Sequence, residues 1–305
     1  MRPLKRLLLY LVLVLGAIVC LTPLLWMIST GLKPVEQTMT VPPTWIPYRL
    51  YAEKNGVRTE IKPADVDKYP DAEIVKRFAP RWSNFGEAIR AMKFFPMYLK
   101  NTLILCVLTV IGTVASSALA AYGFSRIQWR GRDKLFVVAL ATMMVPFPVT
   151  MVPLYCLFRW LGWIGTLKPL WVGSFFAAAY NVFLLRQFFM TIPKDLSEAA
   201  RIDGCSELRI FWQIILPLCK PALMVVGLFQ FMYTWNDFIG PLIYLTNQQD
   251  FTLALGLQFF QSQQGGTEWH YLMAASALVA LPIILLFFFT QKTFIEGISL
   301  TGLKG

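Results

Sequence analysis

Glu198-Ala-Ala-Arg-Ile-Asp-Gly204, followed after nine residues by Ile214-Ile-Leu-Pro217, decides how the rest of this chain is read. It is a polar helix-turn-helix set between Leu170–Phe189 and Leu223–Leu245, two segments apolar enough to cross a bilayer. A membrane protein therefore presents this loop to something on one face. Asp195-Leu-Ser-Glu198 reads as a capping box, with Asp195 on the helix end and Glu198 reaching back to the cap amide. Ala199 and Ala200 favour helix and offer a small surface for close approach by another protein. Gly204 falls where a left-handed residue ends the first helix. A second helix, capped by Ser206, sets Leu208, Phe211, Trp212 and Ile215 on one face, and Pro217 and Pro221 turn the chain back into the membrane.

Composition agrees with a membrane setting. The 305 residues are 56% hydrophobic and 15% charged, with mean hydropathy +0.55, far more apolar surface than a soluble domain of this size needs to bury. About 20 apolar residues cross a ~30 Å hydrocarbon layer. Six stretches qualify: Leu7–Ile28, Leu103–Phe124, Leu135–Phe158, Leu170–Phe189, Leu223–Leu245 and Tyr271–Thr290. The expected fold class is an all-α membrane protein of six transmembrane helices. A long external loop, 31–100, joins the first two, and a cytoplasmic helix lies between the fourth and fifth. The first apolar run is too long for a signal-peptide core and reads as a membrane helix.

The net charge of +11 does not imply nucleic acid, because the basic residues are spread over loops. It follows the excess of Lys and Arg in cytoplasmic loops. Arg2, Lys5 and Arg6 mark the amino end, Arg126, Arg130, Arg132 and Lys134 the second loop, and Lys194, Arg201, Arg209 and Lys220 the Glu198 loop. On the opposite side one loop has only Arg159 and Lys168, and Thr246–Trp269 has neither Lys nor Arg. Both termini and the Glu198 loop are thus expected in the cytoplasm. The five cysteines are scattered without a CxxC pair and read as small apolar residues, with no metal site.

Two features within the spans point to a pathway. Met144-Val-Pro-Phe-Pro-Val-Thr-Met-Val-Pro153 contains Pro146 and Pro148, each of which removes a donor and clashes with the preceding turn, so this helix must bend or break. In lipid the freed carbonyls need partners, so the break is expected to face protein or a water-filled cavity. Trp235-Asn236-Asp237 precedes Gly240-Pro241 in the fifth span. An aromatic face beside an amide and a carboxylate suits a sugar. The same polar groups also serve as a structural network for backbone freed at the break, and the sequence leaves both readings open.

The loop pattern, seven fixed positions at fixed spacing, resembles the coupling loop of permease subunits in ABC importers, specifically the six-helix partner in carbohydrate permeases of the maltose-transporter type. Pro23-Leu-Leu-Trp-Met-Ile-Ser-Thr-Gly-Leu-Lys-Pro34, Trp235-Asn-Asp-Phe-Ile-Gly-Pro241-Leu, Leu272-Met-Ala-Ala and Gly297–Gly305 carry the resemblance along nearly the whole chain. It implies a single permease domain over 1–305, with a coupling loop at 191–217 in which Glu198, Ala199, Ala200, Arg201, Asp203, Gly204, Leu216 and Pro217 meet an ATPase. The implied partners are a second homologous permease, two ATP-binding subunits, an external solute-binding protein and membrane lipids. ATP and Mg belong to the ATPase subunits, and no cofactor to this chain. The implied site is a bacterial or archaeal cytoplasmic membrane. By the same resemblance Gln261, Gln263, Gln264, Gly265 and Gly266 lie in a loop that probes the binding protein, though a plain connector also accounts for them. Tyr48–Arg81 departs from the pattern as an insertion with short strand-like pieces at Tyr51-Ala52 and Val57–Ile61, either a solvated decoration or a docking surface.

Other classes fit less well. No G-x-x-x-x-G-K-[ST] loop occurs, so the chain has no P-loop of its own. A secondary transporter would carry repeats and midplane acids and would leave the Glu198 loop unexplained. A membrane enzyme would want paired carboxylates, for which Asp203 and Glu207 are poor candidates.

Overall fold

Apolar runs without internal breakers become long helices, and prolines and glycines divide the rest. The computed structural model describes residues 3–54, 57–70, 72–261 and 267–302. The order is α1 (Pro3–Gly31), strands β1 (Tyr48–Lys54), β2 (Val57–Ile61) and β3 (Glu73–Phe78), α2 (Ser83–Ala91) and α3 (Phe95–Ser125). Then come α4 (Arg132–Ala141), α5 (Phe147–Trp160), α6 (Lys168–Trp171), α7 (Ala179–Thr191), α8 (Lys194–Ile202), α9 (Glu207–Ile210) and α10 (Leu216–Leu218). α11 (Lys220–Asn236), α12 (Ile239–Tyr244), α13 (Leu253–Gly256) and α14 (Trp269–Gly302) complete the chain.

Among the described residues, three helices are individually long and apolar enough to cross a membrane: Lys5–Gly31, Phe95–Ser125 and Trp269–Gln291. Three bent pairs raise the number to six if each pair is one span. The break expected from Pro146 and Pro148 is a 97° bend between Arg132–Met144 and Phe147–Trp160. Pro146 stands at the start of α5 with extended ψ 142, and a tight turn with Val145 N–H on Thr142 O (3.2 Å) ends the preceding helix. The apolar run Leu170–Phe189 is not one helix: α6 passes through a tight turn (Val172–Phe175) and extended backbone before α7 begins.

The chain's contacts gather into two units. The first comprises Met1–Phe95 and Gly256–Ile284. Its core joins α2, the Phe260 turn and α14 through Ala88, Met92, Phe260, Leu272, Ala274 and Ala275. A Cβ at Gly31 would stand 3.0 Å from the Ala274 backbone, so only glycine lets α1 end this close to α14. Asn84 caps that end, its amide donating to the carbonyls of Gly31 (2.9 Å) and Lys33 (2.8 Å), which satisfies acceptors the helix leaves open.

The same unit contains a three-stranded antiparallel sheet, order β2-β1-β3. This corrects the all-α expectation: the chain is mostly helical, with one small sheet. β2 occupies the expected Val57–Ile61, β1 extends the expected Tyr51-Ala52 to seven residues, and β3 was not anticipated. Leu50, Ala52 and Ile61 form the sheet's own core, backed by Tyr48, Val66, Tyr69 and Ile74.

The second unit comprises Pro96–Leu255 and Leu285–Gly305. Its core runs from α3 (Ala118, Ala121, Tyr122) through α7 (Leu185, Phe189) into the loop helices (Ala200, Ile210, Phe211, Ile215) and α11 (Val226). The loop that opened the sequence reading is thus rooted in the main core of this unit.

Candidate functional site

α8 begins two residues earlier than the sequence pattern implies. Pro193 occupies the cap position, with φ −54 and ψ 135, and no side chain accepts a hydrogen bond there. The expected capping box is therefore not formed. Pro193 presets the first turn, which moves Asp195 inside the helix, where its charge still favours the positive end. At the other end Gly204 has φ +76. Cys205 N–H donates to Ala200 O (2.9 Å) and Gly204 N–H to Arg201 O (3.0 Å), the bond pair of a Schellman cap. Ser206 caps the next helix as expected, its Oγ accepting from Arg209 N–H at 3.4 Å.

The two alanines do different things. Ala200 is buried in this chain's own core, and Ala199 faces outward. The outward face of α8 also carries Leu196 and Ile202, the latter 87% exposed. Their spacing, i, i+3 and i+6, makes a short apolar stripe flanked by the exposed Glu198 and Asp203. That stripe escaped the sequence reading. Isoleucine beside aspartate looked like an ordinary helix end, and only the fold shows it uncovered on the same face as Leu196 and Ala199.

On the second loop helix the expected face splits. Phe211 and Ile215 are buried with Ile210, whereas Leu208 and Trp212 are each 65% exposed. A π-helical turn over Phe211–Ile215 widens the spiral and shifts the face away from 3.6-residue spacing. Leu216 is half-buried against the core, and Pro217, exposed, lies in the first turn of α10.

A carboxylate outside the expected set ties the loop to a long helix. Glu207 Oε1 accepts from Arg201 Nε at 2.7 Å, and Glu207 Oε2 accepts from Tyr122 Oη of α3 at 2.6 Å. The Arg201 bond holds the Glu207 carboxyl below the usual carboxylate range, against the opposing effect of burial and with a further pull from Tyr122. Arg201 is raised in turn, first by its bond to Glu207. Glu207 was dismissed from the sequence as half of a poor catalytic pair; its spacing from Tyr122 gave no local signal.

The second candidate region is a cleft of about 630 Å³ at the break after α11. Asn236 and Asp237 line it with Phe147, Phe158, Tyr233 and Tyr244. Asp237 Oδ1 accepts from Gly240 N–H at 3.0 Å, so the carboxylate does hold backbone freed at the break. Asn236 donates to Met232 O at 2.7 Å on its own helix. Trp235 is buried and stacked on Phe231, with ring centroids 5.4 Å apart. Trp235, Pro146 and Pro148 are not among the residues lining the cleft; the prolines shape the bend whose Phe147 reaches it. Of the loop after α13, Gln261 is exposed, and Gln263, Gln264, Gly265 and Gly266 lie outside the described residues.

Comparison with known proteins bears on these features. Residues 103–299 match the family described as "Binding-protein-dependent transport system inner membrane component". The chain is 31% identical over 303 residues to the trehalose/maltose transport system permease protein MalG of Thermococcus litoralis, covering 99% of this chain and 98% of that protein. It is 37% identical over 205 residues to the arabinooligosaccharides transport system permease protein AraQ of Bacillus subtilis, 67% of this chain and 72% of that one. A solved bacterial ABC transporter involved in import of the acidic polysaccharide alginate shares the fold, with TM-score 0.75 at 20% identity over 95% of this chain and 96% of that one. The chain belongs to the family of binding-protein-dependent transport inner membrane components, and its work is that of a non-catalytic permease subunit of an ABC importer.

Proposed function

We propose that this permease moves a carbohydrate inward, as one of two homologous membrane subunits served by two ATP-binding subunits and an external solute-binding protein. The reading counts one span within each bent helix pair, giving six, with Lys194–Ile202 and Glu207–Leu218 turned out of the span so that the 191–217 loop and both termini are in the cytoplasm, and residues 1–305 work as one permease domain. The observation that carries it is the outward stripe Leu196, Ala199 and Ile202 on a helix fixed by its Schellman cap and rooted in the core. An anchored helix with an uncovered apolar stripe is suited to a groove on a partner. Glu198 and Asp203 edge that contact, and Gly204 with Leu216 and Pro217 sets the angle of the return into the membrane.

The carbohydrate class is supported by relatives whose names specify trehalose, maltose and arabinooligosaccharides. The 630 Å³ cleft adds to it, because aromatic rings beside Asn236 and Asp237 suit C–H faces and hydroxyls. Gln261 and the adjoining Gln263–Gly266 stretch serve delivery from the binding protein. ATP and Mg are used on the partner ATPase subunits.

Reconstitution tests this. Proteoliposomes holding the chain with its permease, ATPase and binding-protein partners should take up radiolabelled maltodextrin or arabinooligosaccharide only with internal-face ATP, and vanadate should stop it. Uptake that persists without the ATPase subunits and follows an ion gradient would overturn the assignment.

A further inference from the structure

At the end of the second unit that carries α8, α3 and α7 enclose a pocket of about 120 Å³, separate from the cleft. Ser125, Arg126, Gln128, Arg132, Arg186 and Lys194 line it. Met190 completes the lining, and four of the seven side chains are cationic. The carboxylate that meets them is Asp133, paired with Arg132 (Nε–Oδ1 3.0 Å) and 3.7 Å from Arg186. Among the described residues no other carboxylate comes within ion-pair distance of the four, so the pocket keeps a net positive charge.

The guanidiniums are held from behind. Arg126 Nη2 donates to the carbonyls of Phe189 and Ile192, the latter at 2.6 Å. Arg186 Nε donates to Phe124 O at 3.1 Å, and its guanidinium carbon lies 4.3 Å from the Phe136 ring centroid. Arg132 Nη1 donates to Gln128 Oε1 at 3.2 Å. Arg126 is only 9% exposed, and its Nε–H has no acceptor. A buried donor on a charged group is costly to leave unpaired, and the fixed guanidiniums of Arg126 and Arg186 match a tetrahedral oxyanion better than a point charge would, while Arg132, its fork held by both Asp133 oxygens, adds charge.

We propose that this pocket binds a phosphate group, supplied by an anionic phospholipid headgroup or by free phosphate. Its volume admits one such group and excludes a nucleotide. Basic pockets between helices at the end of a bundle are where anionic headgroups lodge. A bound phosphate would bridge the ends of α3 and α7 to Lys194, the first residue of α8, and so brace the loop helix from its root. This extends the permease assignment without depending on which solute is carried.

The test uses the assembled transporter in nanodiscs of phosphatidylcholine, with and without phosphatidylglycerol, read by native mass spectrometry and thermal unfolding. The wild type should retain phosphatidylglycerol over phosphatidylcholine and unfold at a higher temperature with it. R132Q together with K194Q should weaken that retention by at least about tenfold, as loss of charge-assisted bonds implies. If inorganic phosphate protects the wild type in pure phosphatidylcholine discs and displaces phosphatidylglycerol, free phosphate is the ligand; protection by the lipid alone assigns the headgroup. Equal retention of the two lipids by the wild type with no shift from inorganic phosphate overturns the proposal, whether or not the variant assembles. Equal phosphatidylglycerol retention by wild type and variant, together with an equal thermal shift from inorganic phosphate, overturns it as well.

Discussion

The loop 191–217 and the sheet of β1–β3 are both polar insertions in an apolar chain, and they are built in opposite ways. The loop contributes Ala200, Ile210, Phe211 and Ile215 to the core it shares with α3, α7 and α11. The sheet keeps its own small core of Leu50, Ala52 and Ile61. In the loop Arg201 pairs with Glu207, which also holds Tyr122 of a long helix. Sheet charges pair with one another, Arg49 with Glu60 and Arg58 with Glu53, both at 3.0 Å on exposed strands. An insertion that shares the main core transmits a push; one with a private core can be altered without the rest responding. Coupling to a motor requires the first kind.

The largest expected effect attacks the outward stripe. Leu196→Asp with Ile202→Asp should leave the chain folded in the membrane, because both side chains already face outward, at 45% and 87% exposure. Burying two carboxylates in a partner's groove is costly, so co-purification of the ATPase subunits and ATP-driven uptake should both be lost. Retention of both would remove this face from the coupling contact.

Next comes the turn. Gly204 at φ +76 stands in a left-handed conformation that costs an L side chain about 1–2 kcal/mol. No atom lies within 4 Å of a Cβ built there, so Gly204→Ala tests backbone strain without a clash. Uptake should fall several-fold, with faster amide exchange at Cys205, whose bond to Ala200 O closes the cap. Wild-type exchange in this variant would mean that the turn tolerates the strain.

A smaller effect concerns pH. Glu207 is held below the ordinary carboxylate range, so the stabilisation from its contacts is complete above about pH 4.3, the unfolded value, and fades as pH falls through the lower folded one. Its side chain is 41% exposed, so solvent screens much of this. Glu207→Gln should lower thermal stability slightly at neutral pH and flatten the acid limb of a stability–pH profile below pH 4. An unchanged acid limb would show that Glu207 does not carry the pH dependence.

Much of this was legible in the sequence where the signal is local. Gly204 could be read as a left-handed terminus because it follows two turns of helix and precedes Ser206, and Pro146 and Pro148 forced a bend by covalent geometry alone. Reading failed where a neighbour in space or one added residue decided the outcome. Pro193 starts α8 two residues early, which disengages Asp195. The π turn at Phe211–Ile215 rotates Trp212 out of the face that 3.6-residue spacing assigns it. β3 alternates weakly, with Ile74 and Val75 adjacent, and becomes a strand by pairing with β1 from Tyr48↔Phe78 to Glu53↔Glu73. Asp237 was read with both roles open, and its bond to Gly240 beside the cleft keeps both.

The smallest effect is expected at the sheet. Arg49→Ala with Glu60→Ala removes an exposed ion pair worth at most about 1 kcal/mol, and the core of Leu50, Ala52 and Ile61 remains. Uptake and ATPase activity should match wild type within error. Replacing 48–78 by a short Gly-Ser linker is the stronger form of the experiment. Pro47 and Ala79, which flank the segment, are already joined by the Ala79 N–H bond to Pro47 O at 3.3 Å, so the excision closes a gap the fold itself holds shut. The sheet has a private core and self-paired charges; its bonds outward run from the Tyr48 backbone to the buried Gln37 amide, which the linker backbone can replace, so the complex should assemble. Binding-protein-stimulated ATPase then separates the two readings of this segment. A drop in stimulation with unchanged basal hydrolysis assigns the sheet to docking of the external protein. Unchanged stimulation makes it a decoration, and failure of the linker variant to assemble would break the comparison itself by showing that the sheet's core is not private.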